Sequence, residues 1–331
     1  MLNQIRINFK LLPTPAAGLA LGISSLGGLW ELVYGFNGYI QTMTAGVAAG
    51  ILFSLLLRFI IHPKTLWNDL SHHVVGSVVP TFAMATMVVS NSLITSSPAL
   101  STTIWLAAII VHLVFLVVFL YHRFQDMQLQ HMVPSWFVPP IGLIVAVFTC
   151  PQPEKFEPIC YAILVFGIIN YAILLPIMLN RLIFGEKVQT GAKPSIALLA
   201  APASLCLTGY LAFVTKPSPI IVAVLLGIAL LMTVVTYMAL LHLSRLTFSP
   251  GFAAFTFPLV ISAKALYSTG DWFKSVGIAE HYITQLHVIA LFELWAATAV
   301  VTWVSACYIK CLVAKLQGMY LVYKTQILVT V

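Results

Sequence analysis

Charge is what this sequence has least of. Asp, Glu, Lys and Arg make up 8% of 331 residues, against 60% hydrophobic residues. Soluble domains carry about a quarter charged residues, so a chain with a mean hydropathy of +1.01 lacks the polar groups to cover itself in water. Long polar stretches are missing too, which excludes a soluble domain of any size on either side. Cysteines number only five, an odd count, which rules out a disulfide framework for the whole fold. No GxxxxGK[ST] occurs, so no ATP engine is built in, and no HExxH occurs either. The nine histidines are scattered. Adjacent ones such as His72 and His73 should point to different sides of a helix, and His122 and His131 fall in a loop, so no metal or cofactor is expected. His112 and His242 read as satisfied polar residues or minor polarity within spans. A membrane-embedded enzyme would need a convergent nucleophile, base or metal cluster, and none is evident.

What is present is apolar length. Ten stretches stand out, at 13–34, 38–61, 71–93, 97–120, 132–150, 157–180, 192–214, 218–243, 250–269 and 283–312. Each approaches or exceeds the roughly 20 residues that cross a bilayer as a helix. The expectation is one all-α polytopic membrane domain over 1–331, without a separate cleavable signal, because the first run is itself a full span. With the N-terminus inside, Arg6, Lys10, Arg58, Lys64, Arg123, Arg181, Lys187, Lys193, Arg245, Lys310, Lys315 and Lys324 all fall on cytoplasmic segments. Lys155, Lys216, Lys264 and Lys274 do not. The positive-inside rule then predicts both termini in the cytoplasm. The net charge of +7 is thus a topology signal and argues against a nucleic-acid partner.

Proline carries a second pattern. The odd-numbered stretches contain LPTPAAGLALG, VVPTFAMAT, WFVPPIGLI, LAAPASLCL and FTFPLVISA. Their prolines Pro15, Pro80, Pro140, Pro202 and Pro258 are 65, 60, 62 and 56 residues apart, about one helical hairpin each. The even stretches have none in their apolar cores, except Pro176 near one end of the sixth. A proline inside a helix bends it and frees the carbonyl four residues earlier, here Gly76, Trp136, Leu198 and Ala254. Freed carbonyls must face protein or a wet cavity rather than lipid. Small residues beside the prolines, such as Gly18, Gly22, Ala203 and Gly142, allow close helix approach. The prediction is five hairpins, with the bent odd helices as an inner ring around a pore and the even helices outside.

Lys264 closes the stretch FTFPLVISAK, seven residues after Phe257. On a helix that spacing returns within about 20° of the same face. A cation in a span is costly unless it meets water or a carboxylate. Two readings stand: Lys264 attracts anions from a wet pore, or it pairs with Glu31 or Glu293, the acids within spans. Cys150 and Cys160 flank CPQPEKFEPIC and likewise leave two readings, a disulfide on the outer face or two unpaired small residues at helix ends.

The motifs PTPAAGLALG, VVPTFAMAT, LAAPASLCLTGYLAF and AAFTFPLVISA, in this order and spacing, resemble the tellurite-resistance/dicarboxylate transporter family, which includes the plant slow-type anion channels. The resemblance covers essentially the whole chain. It implies a ten-helix fold around a pore, a homotrimer with one pore per subunit, and passage of small inorganic anions or small carboxylates through the cell's inner membrane. It also implies that the phenylalanine in AAFTFP, Phe257, blocks the pore. Two positions depart from the family: Leu19 replaces an expected aromatic, and IGLIVAV after WFVPP lacks polar lining. The expected function is a phenylalanine-gated channel for chloride, nitrate or similar anions. The alternative is a proton-coupled carrier for dicarboxylate, sulfite or tellurite-related oxyanions, with Glu31 or Glu293 as the titrating group.

Overall fold

In a computed structural model, residues 12–329 are described, with side chains as far as residue 317. Arg6, Lys10, the Lys324 side chain and the terminal Val331 lie outside the described residues. The chain is helical, with no strand among the described residues. The main helices are α1 (Ala16–Tyr34), α2 (Tyr39–Ile61), α3 (Pro63–Ser71), α4 (Thr81–Asn91), α5 (Pro98–Gln125), α6 (Glu157–Phe184), α7 (Ala200–Phe213), α8 (Pro219–Leu243), α9 (Thr256–Ser275) and α10 (Glu280–Val329). Between α5 and α6 the chain runs through Pro134–Phe148 as alternating short 3-10 and α turns.

Eight helices among the described residues are long and apolar enough to cross a membrane, or nine if one bent pair counts as a span. Pro134–Phe148 is apolar but shorter. These make the chain a polytopic membrane protein. The bent pair adds a helix ahead of the expected third stretch, 71–93, which contains Val75–Asn91. Its first limb is α3, PKTLWNDLS, a polar-faced helix with Trp67 exposed, and it turns 108° into Val75–Asn91. Composition explains the difference: Lys64, Asn68 and Asp69 suit an interface, whereas VVPTFAMAT suits the interior.

Burial divides the helices into two kinds. Over their most apolar stretches Thr190–Phe213 and Pro250–Ser275 are 78% and 72% buried, whereas α2, α5, α6 and α8 are only 28–39% buried. The less buried helices show Leu, Ile, Val and Phe outward, as lipid contact requires. Consecutive helices pack as α1 on α2, α4 on α5, α7 on α8 and α9 on α10, while α6 packs on Pro134–Phe148. The more buried segments also meet one another: α1 touches α4, α4 and α7 each touch Val145–Phe148, α7 touches α9, and α9 returns to α1.

The prolines are placed differently from the expected mid-helix kinks. Pro15 and Pro80 are the N-caps of α1 and α4, while Pro202 and Pro258 occupy the third positions of α7 and α9. Pro140 likewise is third in the short helix Val138–Ile141. The first four N–H groups of an α-helix have no intrahelical acceptor, so proline costs no hydrogen bond there. The chain before α7 and α9 is wound as 3-10 helix, over Thr190–Leu199 and Pro250–Phe255. At α7 and α9 proline therefore stands close to a change from 3-10 to α winding, whereas Pro80 follows the short α-helix Val75–Val78. The small residues do allow close approach: a Cβ on Gly22 would stand 2.5 Å from the Thr256 side chain, and the Thr256 hydroxyl donates to the Gly18 carbonyl at 3.1 Å. This contact holds α9 against α1 one residue from Phe257.

Arginines fasten one end of the bundle. Arg58, Arg123 and Arg181 stand in the last turns of α2, α5 and α6 and are all buried. There the helix dipole favours cations, and each guanidinium bonds the linkers. Arg123 donates to the Ser71 carbonyl. Arg181 reaches the carbonyls of Gln130 at 2.9 Å and Glu186 at 2.6 Å. Arg58 pairs with Asp69 at 2.9 Å.

Candidate functional site

Two cavities lie end to end within the bundle. The first, about 380 Å³, opens at the arginine-bearing end. Leu21, Met84, Ile141, Leu205 and Pro258 are among its walls, one from each of the five more buried segments. Apolar side chains dominate, and a single polar cluster sits at the mouth. Arg58 donates to the Thr14 hydroxyl at 2.5 Å and to Asp69 at 2.9 Å, while Thr14 donates to Asp69 at 2.6 Å. Among the described residues this is the one ion pair of a Lys or Arg with an acid.

The second cavity, about 270 Å³, lies toward the opposite end and is more polar. Ser25, Glu31, Gln41, Asn91, Thr149 and Lys264 line it, together with the Phe148 ring. Among the described residues Phe257 is the one that lines both cavities, and it is only 4% exposed. Its position follows from local winding. Pro250–Phe255 ends as 3-10 helix, Thr256 anchors to Gly18, and α9 begins with Phe257 in its first turn. Phe255, two residues earlier, is fully buried on another side, 6.0 Å from the Phe252 ring.

Lys264 forms no ion pair with Glu31 or Glu293. Its ammonium lies instead 4.2 Å from the centroid of the Phe148 ring, a cation–π contact. Glu293 is buried away from both cavities and accepts from Ser262 at 2.7 Å, and Ser262 meets Thr233 at 2.6 Å. Glu31 Oε1 accepts from the Gly38 N–H at 2.7 Å, beyond the end of α1. Cys150 and Cys160 are both buried, free thiols.

His112 is wholly buried, with Nε2 2.8 Å from the Pro139 carbonyl and Nδ1 left without a partner, whereas His242 is exposed. His72 and His73 do not diverge as helix neighbours would. The chain turns there, and their rings stack at 4.7 Å, with His131 stacked on His73 at 4.9 Å. Burial lowers the His73 pKa, and the neighbouring His72, His131 and Arg123 lower it further. Leu19 does not reach the two central cavities; it lines an apolar groove between α1, α2 and α10.

The cluster Arg58–Thr14–Asp69 was not anticipated, because Arg58 had been counted only as a topology charge. A signal existed. Arg58, Arg123, Arg181 and Arg245 recur at 65, 58 and 64 residues, the same hairpin spacing as the prolines. Arg245 breaks the series by being exposed.

Sequence comparison decides the family. The family described as SLAC1, voltage-dependent anion channel, matches residues 14–303. The chain belongs to this family. The match takes in Pro15, Pro80, Pro140, Pro202 and Pro258, together with Phe257 and Lys264, which lie within 14–303, and the family is the tellurite-resistance/dicarboxylate transporter family that the motifs resembled. A further relative is an uncharacterized transporter of Methanocaldococcus jannaschii, 32% identical over 94 residues. That alignment covers 27% of this chain and 28% of the relative, so it spans little more than a quarter of either protein.

Proposed function

We propose that the protein is a channel for small anions, driven by the electrochemical gradient, whose path runs through the two cavities and is closed between them by Phe257. In this reading ten spans form five hairpins, and α1, Val75–Asn91, Pro134–Phe148, Thr190–Phe213 and Pro250–Ser275 make an inner ring. The mutual contacts of those segments support it. The observation that carries the gate is that Phe257 alone borders both cavities. A dry apolar constriction imposes a large dehydration barrier on an ion. The homotrimer, the inner membrane, and cytoplasmic termini on the arginine-bearing side belong to the same proposal.

Conductance in planar bilayers tests the gate. Phe257→Ala removes the ring between the cavities and should raise basal chloride or nitrate current severalfold or more, whereas Phe255→Ala should not. Equal effects from the two, or no rise from Phe257→Ala in correctly assembled protein, would place the barrier elsewhere. A proton-coupled carrier is the second reading, favoured by one observation: Glu31 lines the outer cavity. A reversal potential that follows the proton gradient would select it, and one that follows the anion's Nernst potential would exclude it.

A further inference from the structure

A third space lies beside the two central cavities. This groove, about 340 Å³, runs between the first hairpin and the last helix. Its walls include Leu19 and Ile23 of α1, Val47 and Ile51 of α2, and Ile309 and Leu312 of α10. Val47 and Ile309 are exposed, so the groove opens sideways, on the face that such helices turn to lipid. Its hydroxyls ask nothing of an occupant: Ser305 donates to the Val301 carbonyl at 2.7 Å, and Tyr308 to the Pro250 carbonyl at 2.6 Å. Charge enters at one end. Lys315 is the one charged side chain among the described walls, and the direction of α10 places it toward the arginine-bearing end. A second cation stands nearby in the chain: Arg245, exposed unlike Arg58, Arg123 and Arg181, is three residues before the wall residue Phe248. The length also has a meaning. From Ser305 to Lys315 α10 rises about 15 Å at 1.5 Å per residue, which is one leaflet's share, about 15 Å, of a bilayer's hydrocarbon core.

We propose that this groove binds an anionic phospholipid, with one acyl chain between α1, α2 and α10 and the phosphate at Lys315, within reach of Arg245. An apolar slot one leaflet long, with cations only at its headgroup end, is complementary to an amphiphile with a negative head. The bound chain also touches the mouth of the first cavity, because Pro13 and Pro250 are walls of both spaces. Pro13 precedes Thr14 of the Arg58 cluster, and the Pro250 carbonyl is held by Tyr308. Lipid in the groove thus braces that mouth from the membrane side, whichever ion the protein carries.

Native mass spectrometry of the purified full chain, titrated with dioleoyl phosphatidylglycerol or dioleoyl phosphatidylcholine, tests the site. Both lipids carry a phosphate, but only the first has a net negative charge. Phosphatidylglycerol should bind saturably and more tightly than phosphatidylcholine. Lys315→Gln should weaken it about fivefold, the worth of one basic residue near an anionic headgroup, and adding Arg245→Gln should weaken it further, with phosphatidylcholine steady. Ile309→Trp, at a side chain 62% exposed, fills the groove and should remove the phosphatidylglycerol site. Phosphatidylglycerol should also raise the thermal midpoint of the unmodified protein more than that of Lys315→Gln or Ile309→Trp. Equal affinity for the two lipids, unchanged affinity in Lys315→Gln, or binding that survives Ile309→Trp would overturn the proposal. A smaller assembly mass for Ile309→Trp would overturn it too, since a second copy of the chain, and not lipid, would then cover the groove.

Discussion

At the scale of single residues, the site turns on side chains whose partners differ from those that composition suggested. Lys264 could be singled out from sequence because an ammonium within an apolar run demands an explanation. Its neighbour could not, since Phe148 comes from a distant segment. Without an ion pair, the charge of Lys264 is available, on the path proposed above, to an anion in the second cavity. At an effective dielectric constant of 20, a unit charge about 10 Å away contributes roughly 1.7 kcal/mol, and every 1.4 kcal/mol is about tenfold. Lys264→Gln on the Phe257→Ala background should therefore lower anion conductance up to about tenfold at low salt. The loss should shrink at 1 M salt, where the Debye length falls to about 3 Å. Thermal stability should fall little, because the cation–π contact is worth about 0.5–2 kcal/mol. Unchanged conductance at low salt would remove Lys264 from the path. Arg58 teaches the opposite lesson. Sequence placed it correctly at a helix end, yet its bonds to Thr14 and Asp69 depend on three separate segments converging.

At the scale of elements, the apolar runs and their alternation were legible because length and hydropathy are local properties. The proline repeat was legible as a period but not as a mechanism. A proline in an apolar run reads as a kink, whereas here each proline stands at the N-cap or in the first turn of an α-helix. The helix α3 was missed because nine polar-faced residues between two spans resemble a loop. Its join to the next segment gives an element-scale prediction. A Cβ on Gly76 would lie 2.3 Å from the Leu70 carbonyl oxygen, whereas one on Gly28 would meet nothing within 4 Å. Backbone cannot yield as a side chain can, and overpacking typically costs about 1–3 kcal/mol. Gly76→Ala should thus lower the thermal midpoint of the purified protein by several degrees, while Gly28→Ala, which favours helix, should leave it unchanged or raise it. Equal midpoints for both would mean that the 108° turn is not held by this contact.

For the whole molecule, the question is which end faces the cytoplasm, since that decides which cavity an exiting anion meets first. The arginine-bearing end holds Arg58, Arg123 and Arg181, with Lys64, Lys187 and Lys193 on the nearby linkers. The opposite end has Lys155 and Lys216 on its linkers and Lys274 in the last turn of α9. The positive-inside rule favours the first end as the cytoplasmic one, and on the topology proposed above the mouth formed by Arg58, Thr14 and Asp69 would open to the cell interior. Glu154 and Lys187 are exposed and lie on either side of α6, so they report the two faces. The native cysteines give a low background, since Cys150, Cys160 and Cys206 are buried and Cys307 and Cys311 only half-buried. In intact cells a membrane-impermeant maleimide should label Glu154→Cys, and should label Lys187→Cys only after permeabilisation. The reverse pattern would invert the molecule and put the Phe148–Lys264 cavity on the cytoplasmic side. Labelling of both in intact cells would mean that α6 does not cross the membrane, and the five-hairpin arrangement would fall with it.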